Sequence, residues 1–439
     1  MKKRALKALF AGIALSATVC FSAVFGGCFA TAGRDGKDGK DLNIYDIYEA
    51  LKTETGNSDL TFSDFVKDYL GYTPAELDEK LSLQASINRS LMASVSIIAG
   101  FRESAVSTSL KTYSGSGVII DADEDSGDFT VLTNCHVVYS AQASLISGQD
   151  GYSDNVAVWL YGSEYSDSGR LSATIMATSK SYDIALLKVS GGEAGKRVKT
   201  ADWVSGEETY LGETVYAIGN AGGEKMCANT GIISKDIQTV KVNLGTDRST
   251  ELYEYQVLRT SAPINSGNSG GGLFNVAGEL VGLVNSKSGS SEMTGVGYAL
   301  TASSTKRVVK RMLNEYDGYE FHDIKTVDHH VLLRTEEGYT TGLNDKGFAE
   351  IREDVVVASV LSGKFAGKLL MGDTITNVKI ERNVNGSNVI IEDVEIKRTH
   401  NFNDVMLAVE PNDTVTVTVS RGENISVVFT ESDFSKKDR

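Results

Sequence analysis

From about Ser90 to Ala302 the chain runs in short β-rich stretches, each broken after a few residues by Gly, Ser or Asp. Strands this short and this regularly punctuated pair as antiparallel neighbours, and no strand–helix–strand rhythm of a parallel sheet interrupts them. This region is therefore expected to form antiparallel barrels or sandwiches. Ser303 to Tyr316 then reads as a closing helix, and a second β-rich segment follows from about Phe321 to Phe429.

The N-terminus is a targeting segment. Lys2, Lys3, Arg4 and Lys7 precede an uncharged stretch from Ala8 to Ala32, the pattern of a secretory signal or a signal-anchor. Its end, Phe25-Gly26-Gly27-Cys28, resembles the lipobox of bacterial lipoproteins, with Phe25 where Leu is usual. That resemblance implies cleavage before Cys28 and a lipid on its thiol. Ordinary cleavage and an uncleaved anchor are the alternatives, and all three place the protein outside the cytoplasm, lipid-anchored at the cell membrane or secreted. Residues 1–28 form the signal peptide in this reading and 29–41 a flexible spacer, whose Gly triplets are too few for a triple helix. Residues 42–89 form a small helical module, a docking piece or a packed spacer, in which Pro74 opens a helix running to about Asn88.

The chain carries 43 basic and 58 acidic side chains, a net charge of −15. Nothing clusters the Lys and Arg that phosphate backbones require, so a nucleic-acid partner is not expected. Four cysteines in 439 residues exclude a disulfide-built scaffold. Cys135 and Cys227 could pair outside the cytoplasm or remain two buried thiols. Of five histidines, His136 alone precedes residue 322, so histidine chemistry in the first two-thirds of the chain rests on it.

Three stretches carry the chemistry. Val131-Leu132-Thr133-Asn134-Cys135-His136-Val137-Val138 ends an apolar strand in a polar turn bearing that histidine, after Gly115-Ser116-Gly117-Val118-Ile119-Ile120. Ser181-Tyr182-Asp183 leads directly into the apolar run Ile184-Ala185-Leu186-Leu187. Pro263-Ile264-Asn265-Ser266-Gly267-Asn268-Ser269-Gly270-Gly271-Gly272 surrounds a serine with glycines that permit positive φ and close backbone approach. Each alone has an ordinary structural reading. Together they supply a nucleophile, a base, an acid to orient the base, and backbone N–H donors for an oxyanion.

On these motifs the segment from about 90 to 313 resembles a trypsin-like protease of the HtrA (Deg) family. Thr133-Asn134-x-His136-Val137-Val138 is similar to that family's histidine motif, Asp183 to Val189 to its aspartate strand, and Gly267-Asn268-Ser269-Gly270-Gly271 to its nucleophile turn. Gly219-Asn220, Thr230 to Ser234 and Gly297-Tyr298-Ala299 also resemble the family. The resemblance implies a mainly β fold, a trypsin-like double six-stranded β-barrel spanning 90–316 with the site in the cleft between barrels. It implies Ser269 as nucleophile, His136 as general base and Asp183 as its orienter, with the N–H groups of Gly267 and Ser269, together with Asn268, as oxyanion hole. Pro263 and Ile264 are then expected near the floor of the specificity pocket, where no carboxylate would hold Lys or Arg and a small aliphatic side chain would fit. Asn268 is neutral where digestive relatives carry an activating Asp, and Thr260-Ser261-Ala262 departs from the family's frequent Thr-Asp-Ala.

Residues 321–432 resemble a PDZ-like α+β domain of the HtrA type. Val360 to Gly367, Leu370 to Ile375, a helix from Asn401 to Val409, and the hairpin through Val415 to Val419 carry the likeness. It implies docking of C-terminal peptides by strand addition, with Gly338-Tyr339 and Gly347-Phe348 as candidate carboxylate loops. No cofactor is expected, and no metal: adjacent His329 and His330 would face opposite ways on a strand. Gly219 to Gly223 lacks the Lys-Ser/Thr of a phosphate loop. The expected function is a serine endopeptidase acting on misfolded or unstructured proteins at the cell surface, as a homotrimer if it assembles as its relatives do. A peptide-binding sensor or holdase with little activity, and a processing protease for one membrane partner, are the alternatives.

Overall fold

The computed structural model describes residues 74–106, 109–204, 210–245, 250, 252–286, 296–343 and 347–436. The chain divides into two compact units, one ending at Leu77 and one running from Asp78 to Arg439. The expected signal segment with Cys28, the spacer and most of the helical module lie outside the described residues. Pro74 does open a helix, α1 (Pro74–Met92), which continues past the expected end at Asn88. No helix among the described residues is long and apolar enough to cross a membrane.

Six strands follow α1: β1 (Ser94–Arg102), β2 (Leu110–Ala122), β3 (Asp128–Thr133), β4 (Asn155–Leu160), β5 (Leu171–Ser179) and β6 (Ile184–Ser190). They run in the order β5-β4-β1-β2-β3-β6, and β6 pairs back with β5 to close a barrel. A helical turn, α2 (Cys135–Val138), stands between β3 and β4, with a second turn at Ala141–Ser144. After a short β7 (Asp202–Trp203), a second set follows: β8 (Thr214–Gly219), β9 (Cys227–Asn243), β10 (Leu252–Thr260), β11 (Gly272–Asn275), β12 (Glu279–Val284) and β13 (Gly297–Thr301). These run β11-β8-β9-β10-β13-β12, and β12 pairs with β11 to close the second barrel. The expected double six-stranded barrel is what forms.

The apolar runs have a simple cause. Neighbouring residues on a strand face opposite sides. In β3, Val131 fills the first barrel's core and Leu132 joins the core shared between barrels; in β6, Leu187 and Leu186 divide the same way. A strand buried on both faces needs no polar alternation. His136 follows the end of β3 and Asp183 precedes the start of β6, so these two-sided strands bring both to one seam.

The C-terminal part begins with α3 (Ala302–Glu315), within one residue of the expected closing helix. It continues through β14 (Phe321–His322), β15 (Lys325–Val327), β16 (Val331–Leu343), β17 (Ala349–Val360), β18 (Ile375–Val384), β19 (Ser387–Glu395), α4 (Thr399–Met406), β20 (Thr414–Val419), β21 (Asn424–Val428) and β22 (Phe434–Lys436). A four-stranded sheet, β19-β18-β20-β21, packs with α4 around Phe365, Phe402, Val417 and Phe429, while β16 and β17 form a separate two-stranded ribbon. Contacts from α3 and from β14 hold the module in place. Arg311 of α3 donates to the Val409 carbonyl at 2.7 Å. The His322 ring of β14 stacks on Tyr152 at 3.6 Å, and β14 adds a parallel pair to β5.

Candidate active site

The three chemistry-bearing stretches meet at the seam between barrels. His136 lies on α2, a turn anchored on both sides. Val137 and Val138 enter the first barrel's core, while Cys135 packs with Tyr139 and Tyr152 on the other side. Asn134 uses its side chain to reach the Asp183 carbonyl at 2.9 Å instead of capping α2.

Asp183 closes the turn before β6 with φ of +52°, a left-handed conformation that Asp tolerates better than most side chains. Its carboxylate is fully buried. It accepts the His136 backbone N–H at 2.9 Å on Oδ1, and on Oδ2 it meets His136 Nδ1 at 2.7 Å and the Asn285 amide at 2.7 Å. A carboxylate bonded to Nδ1 leaves Nε2 as the nitrogen free to take a proton.

The nucleophile turn is held by its carbonyls. Gly267 has φ of +96° at the third position of a turn closed by Asn268 N–H on the Asn265 carbonyl at 3.0 Å. A Cβ on Gly267 would lie 2.2 Å from the Asn220 carbonyl oxygen, and one on Gly270 would lie 2.1 Å from Thr133 Oγ1. Only glycine lets these backbones approach so closely. Ser116 of β2, fully buried, bridges the barrels: its N–H donates to the Ser269 carbonyl at 2.8 Å and its hydroxyl to the Gly267 carbonyl at 2.7 Å, while Asn220 N–H donates to that hydroxyl at 2.8 Å. Gly222 N–H holds the Ser266 carbonyl at 2.7 Å. Because C=O and N–H of a trans peptide point in opposite directions, that bond turns the Gly267 N–H the other way.

Among the described residues, the N–H groups of Gly267 and Ser269 donate to no other protein group. Two backbone donors flanking the nucleophile are thus left for an oxyanion. The expected contribution of Asn268 is corrected: its N–H closes the turn on Asn265, and its buried side-chain amide points into the protein. Ser269 itself is 4% exposed. Its Oγ lies 2.5 Å from Ser286 Oγ and accepts the Ser286 N–H at 3.2 Å; no hydrogen bond joins it to His136. Histidine, aspartate and serine are thus brought to one seam, with the first two engaged and the third turned toward Ser286.

Pro263 is exposed and Ile264 half-buried; a Cβ on Gly297 would lie 2.5 Å from Ile264 Cδ1, so Ile264 packs where Gly297 has no side chain. No disulfide joins Cys135 and Cys227. Among the described residues no group of three His, Cys, Asp or Glu side chains could hold a metal.

Gly338-Tyr339 lies within the exposed β16, and Phe348 stacks on Tyr210 of the barrel region at 4.6 Å. Beside α4 lies a cavity of about 690 Å³ lined by Asp328 to Leu333, Asn403 and Met406, facing Tyr182, Glu254 and Gln256 of the barrels. His329 and His330 sit in the loop before β16 and both line it, rather than facing opposite ways on a strand.

A family profile described as the trypsin-like peptidase domain matches residues 115–283. The serine protease Do-like HtrA of Bacillus subtilis (strain 168) is 28% identical over 331 residues, 72% of this chain and 65% of that protein. The matched domain and this relative support an HtrA-type serine protease. The corresponding HtrA of Lactococcus lactis subsp. lactis (strain IL1403) is 27% identical over 307 residues, 66% of each chain. A solved serine endoprotease from Yersinia pestis aligns over 81% of this chain and 98% of its own, at 22% identity and a TM-score of 0.44. The alignments cover between 45% and 66% of the first four curated relatives' length.

Four residues that organise the site escape a reading of motifs. Ser116 carries one faint signal, a small polar residue between Gly115 and Gly117. Asn220 follows a glycine, as many loop residues do. Asn285 and Ser286 sit at the end of β12, and nothing in their neighbours shows that they touch Asp183 and Ser269.

Proposed function

We propose that this chain is a serine endopeptidase that hydrolyses peptide bonds of misfolded or unstructured proteins outside the cytoplasm. One observation carries the reading: a buried Asp183–His136 pair beside a nucleophile turn whose two flanking N–H groups are unspent. In the reaction Ser269 Oγ attacks the peptide carbonyl and His136 Nε2 takes its proton. The oxyanion is held by Gly267 and Ser269 N–H, each worth ~3 kcal/mol of transition-state stabilisation. His136 then protonates the leaving amine, and water hydrolyses the acyl-enzyme by the same steps in reverse. Asp183 holds the imidazole in the required tautomer throughout.

The basic-then-apolar N-terminus and the periplasmic names of relatives from Haemophilus influenzae and Buchnera aphidicola support an extracytoplasmic location, with Cys28 as the lipid attachment point. In this reading 90–316 is the peptidase domain and 321–432 a PDZ-like domain, whose cavity between α4 and the start of β16 suits an extended peptide end. The turn of Ser269 toward Ser286 favours a second reading, a peptide-binding sensor with a nearly silent triad.

Detergent-solubilised full-length chain and its Ser269→Ala variant, incubated with unfolded β-casein and a fluorophosphonate probe, separate these. Labelling and casein loss in the parent alone are expected. Labelling without casein loss means a narrowly specific protease, and no labelling puts the sensor reading ahead.

A further inference from the structure

Residues 285 and 286 touch two members of the triad at once. The end of β12 is zipped to the nucleophile turn, with Gly270 N–H on the Val284 carbonyl at 3.0 Å and Val284 N–H on the Gly271 carbonyl at 2.8 Å. That register carries the next two residues into the catalytic seam. Asn285, fully buried, donates to Asp183 Oδ2 at 2.7 Å. Ser286 holds Ser269 Oγ twice, through its own hydroxyl at 2.5 Å and its N–H at 3.2 Å.

A serine hydroxyl bonded to a second serine is a poor nucleophile. Ser286 is not a base, and with Ser269 Oγ turned to it, whichever hydroxyl donates, no hydrogen bond leads from Ser269 to His136. The pairing of His136 with Asp183 is complete, so the imidazole is already oriented and the missing step lies on the serine side. Rotation of the Ser269 side chain between staggered positions exchanges one partner for the other.

Resting on the endopeptidase reading above, we propose that Ser286 is a positioning residue that parks the nucleophile, so that Ser269 exists in two states, one tethered to Ser286 and one engaged with His136. The tether lowers reactivity toward any electrophile by the fraction of time it holds. Asn285 belongs to the other half of the same segment: it fixes Asp183 whichever partner Ser269 has.

The test is the rate at which a fluorophosphonate labels the full-length chain, a reaction in which Ser269 Oγ bonds to phosphorus, fluoride leaves and the proton passes to His136. Ser286→Ala removes the hydroxyl and keeps the N–H, so labelling is expected to accelerate about 2- to 10-fold, the effect of one neutral hydrogen bond. With a casein-derived peptide kcat should rise by a similar factor with KM unchanged, a split that a merely structural role would not produce. Ser286→Thr keeps a hydroxyl and should label more slowly than the alanine variant; Ser286→Gly reports the same quantity should the alanine variant not fold. Parent labelled and folded Ser286→Ala no faster overturns the proposal and leaves the endopeptidase reading intact. Neither chain labelled overturns both. Labelling that appears only in Ser286→Ala supports the tether in its strongest form.

Discussion

The barrels and the C-terminal module handle their buried polar groups differently. At the barrel seam Ser116, Thr133, Asn134 and Asn285 are buried and hydrogen-bond to backbone or to Asp183. The module uses arginine forks. Arg382 binds both oxygens of fully buried Asp413 at 2.8 Å, and Arg421 reaches Asp373 Oδ1 at 2.8 Å. Each aspartate also takes the N–H three residues back, from Glu410 and Leu370, both at 2.8 Å. The same device, an Asp closing a turn and paired with Arg, thus appears twice. A closed barrel satisfies its strands all round and presents fixed backbone to its buried side chains. The open module leaves β16 as an exposed edge ribbon, and its turns are fastened by charge.

The difference implies that the two regions can be weakened separately. The largest effect is expected from Asp413→Ala, which leaves the Glu410 N–H without its partner and strips Arg382 of its fork. We expect it to lower the module's stability by about 3 kcal/mol, less than a fully buried pair because Arg382 is partly exposed, while probe labelling of Ser269 persists. The chain's two tryptophans, Trp159 and Trp203, lie in the barrel region, so their fluorescence reports barrels and far-ultraviolet circular dichroism reports both. Coincident loss of both signals in that variant would break the comparison.

Next in size is Ser116→Ala. It leaves the Gly267 carbonyl and the Asn220 N–H unpartnered, and should lower the barrels' stability by about 2 kcal/mol in denaturant titrations. It should also slow labelling, because the nucleophile turn loses its hold on β2. A Ser116→Ala chain labelled at the parent rate would show that the clamp is structural only.

The smallest effect is acid sensitivity. Burial raises the Asp373 pKa, but the Arg421 guanidinium and the Leu370 N–H outweigh it and hold the carboxyl below its ordinary range. Glu353 is lowered too: burial opposes, while Thr399 and Arg398 prevail. A depressed carboxylate contributes stability that is present above its unfolded pKa, about 4, and is lost as pH falls through its folded value. The module should therefore loosen below about pH 4, with the circular dichroism change preceding the tryptophan change. Simultaneous transitions would mean that the arginine forks do not set the module apart.

Much of this was legible in the residues. The histidine, aspartate and serine stretches announced themselves because each chemistry demands a residue type in a narrow local setting. The antiparallel architecture followed from strand length and punctuation. A glycine–aromatic pair suits a hairpin end as well as a carboxylate loop, so the residues of Gly338-Tyr339 and Gly347-Phe348 alone do not separate the two uses. The resemblance implies Asn268 beside Gly267 and Ser269, but the Asn268 N–H is spent on the Asn265 carbonyl, a partner that only the folded turn supplies.

Sequence alone singled out the antiparallel class, the histidine, aspartate and serine that meet at the seam, and the glycines that free the turn around Ser269, since these rest on local backbone freedom and residue chemistry. Tertiary structure alone decided which partner Ser269 has, that Ser116 ties one barrel to the other, and that Asn285 steadies Asp183. Those contacts join residues 17, 151 and 102 positions apart respectively. No local pattern encodes such pairs, because it is closure of the barrels that brings their strand ends to a single seam.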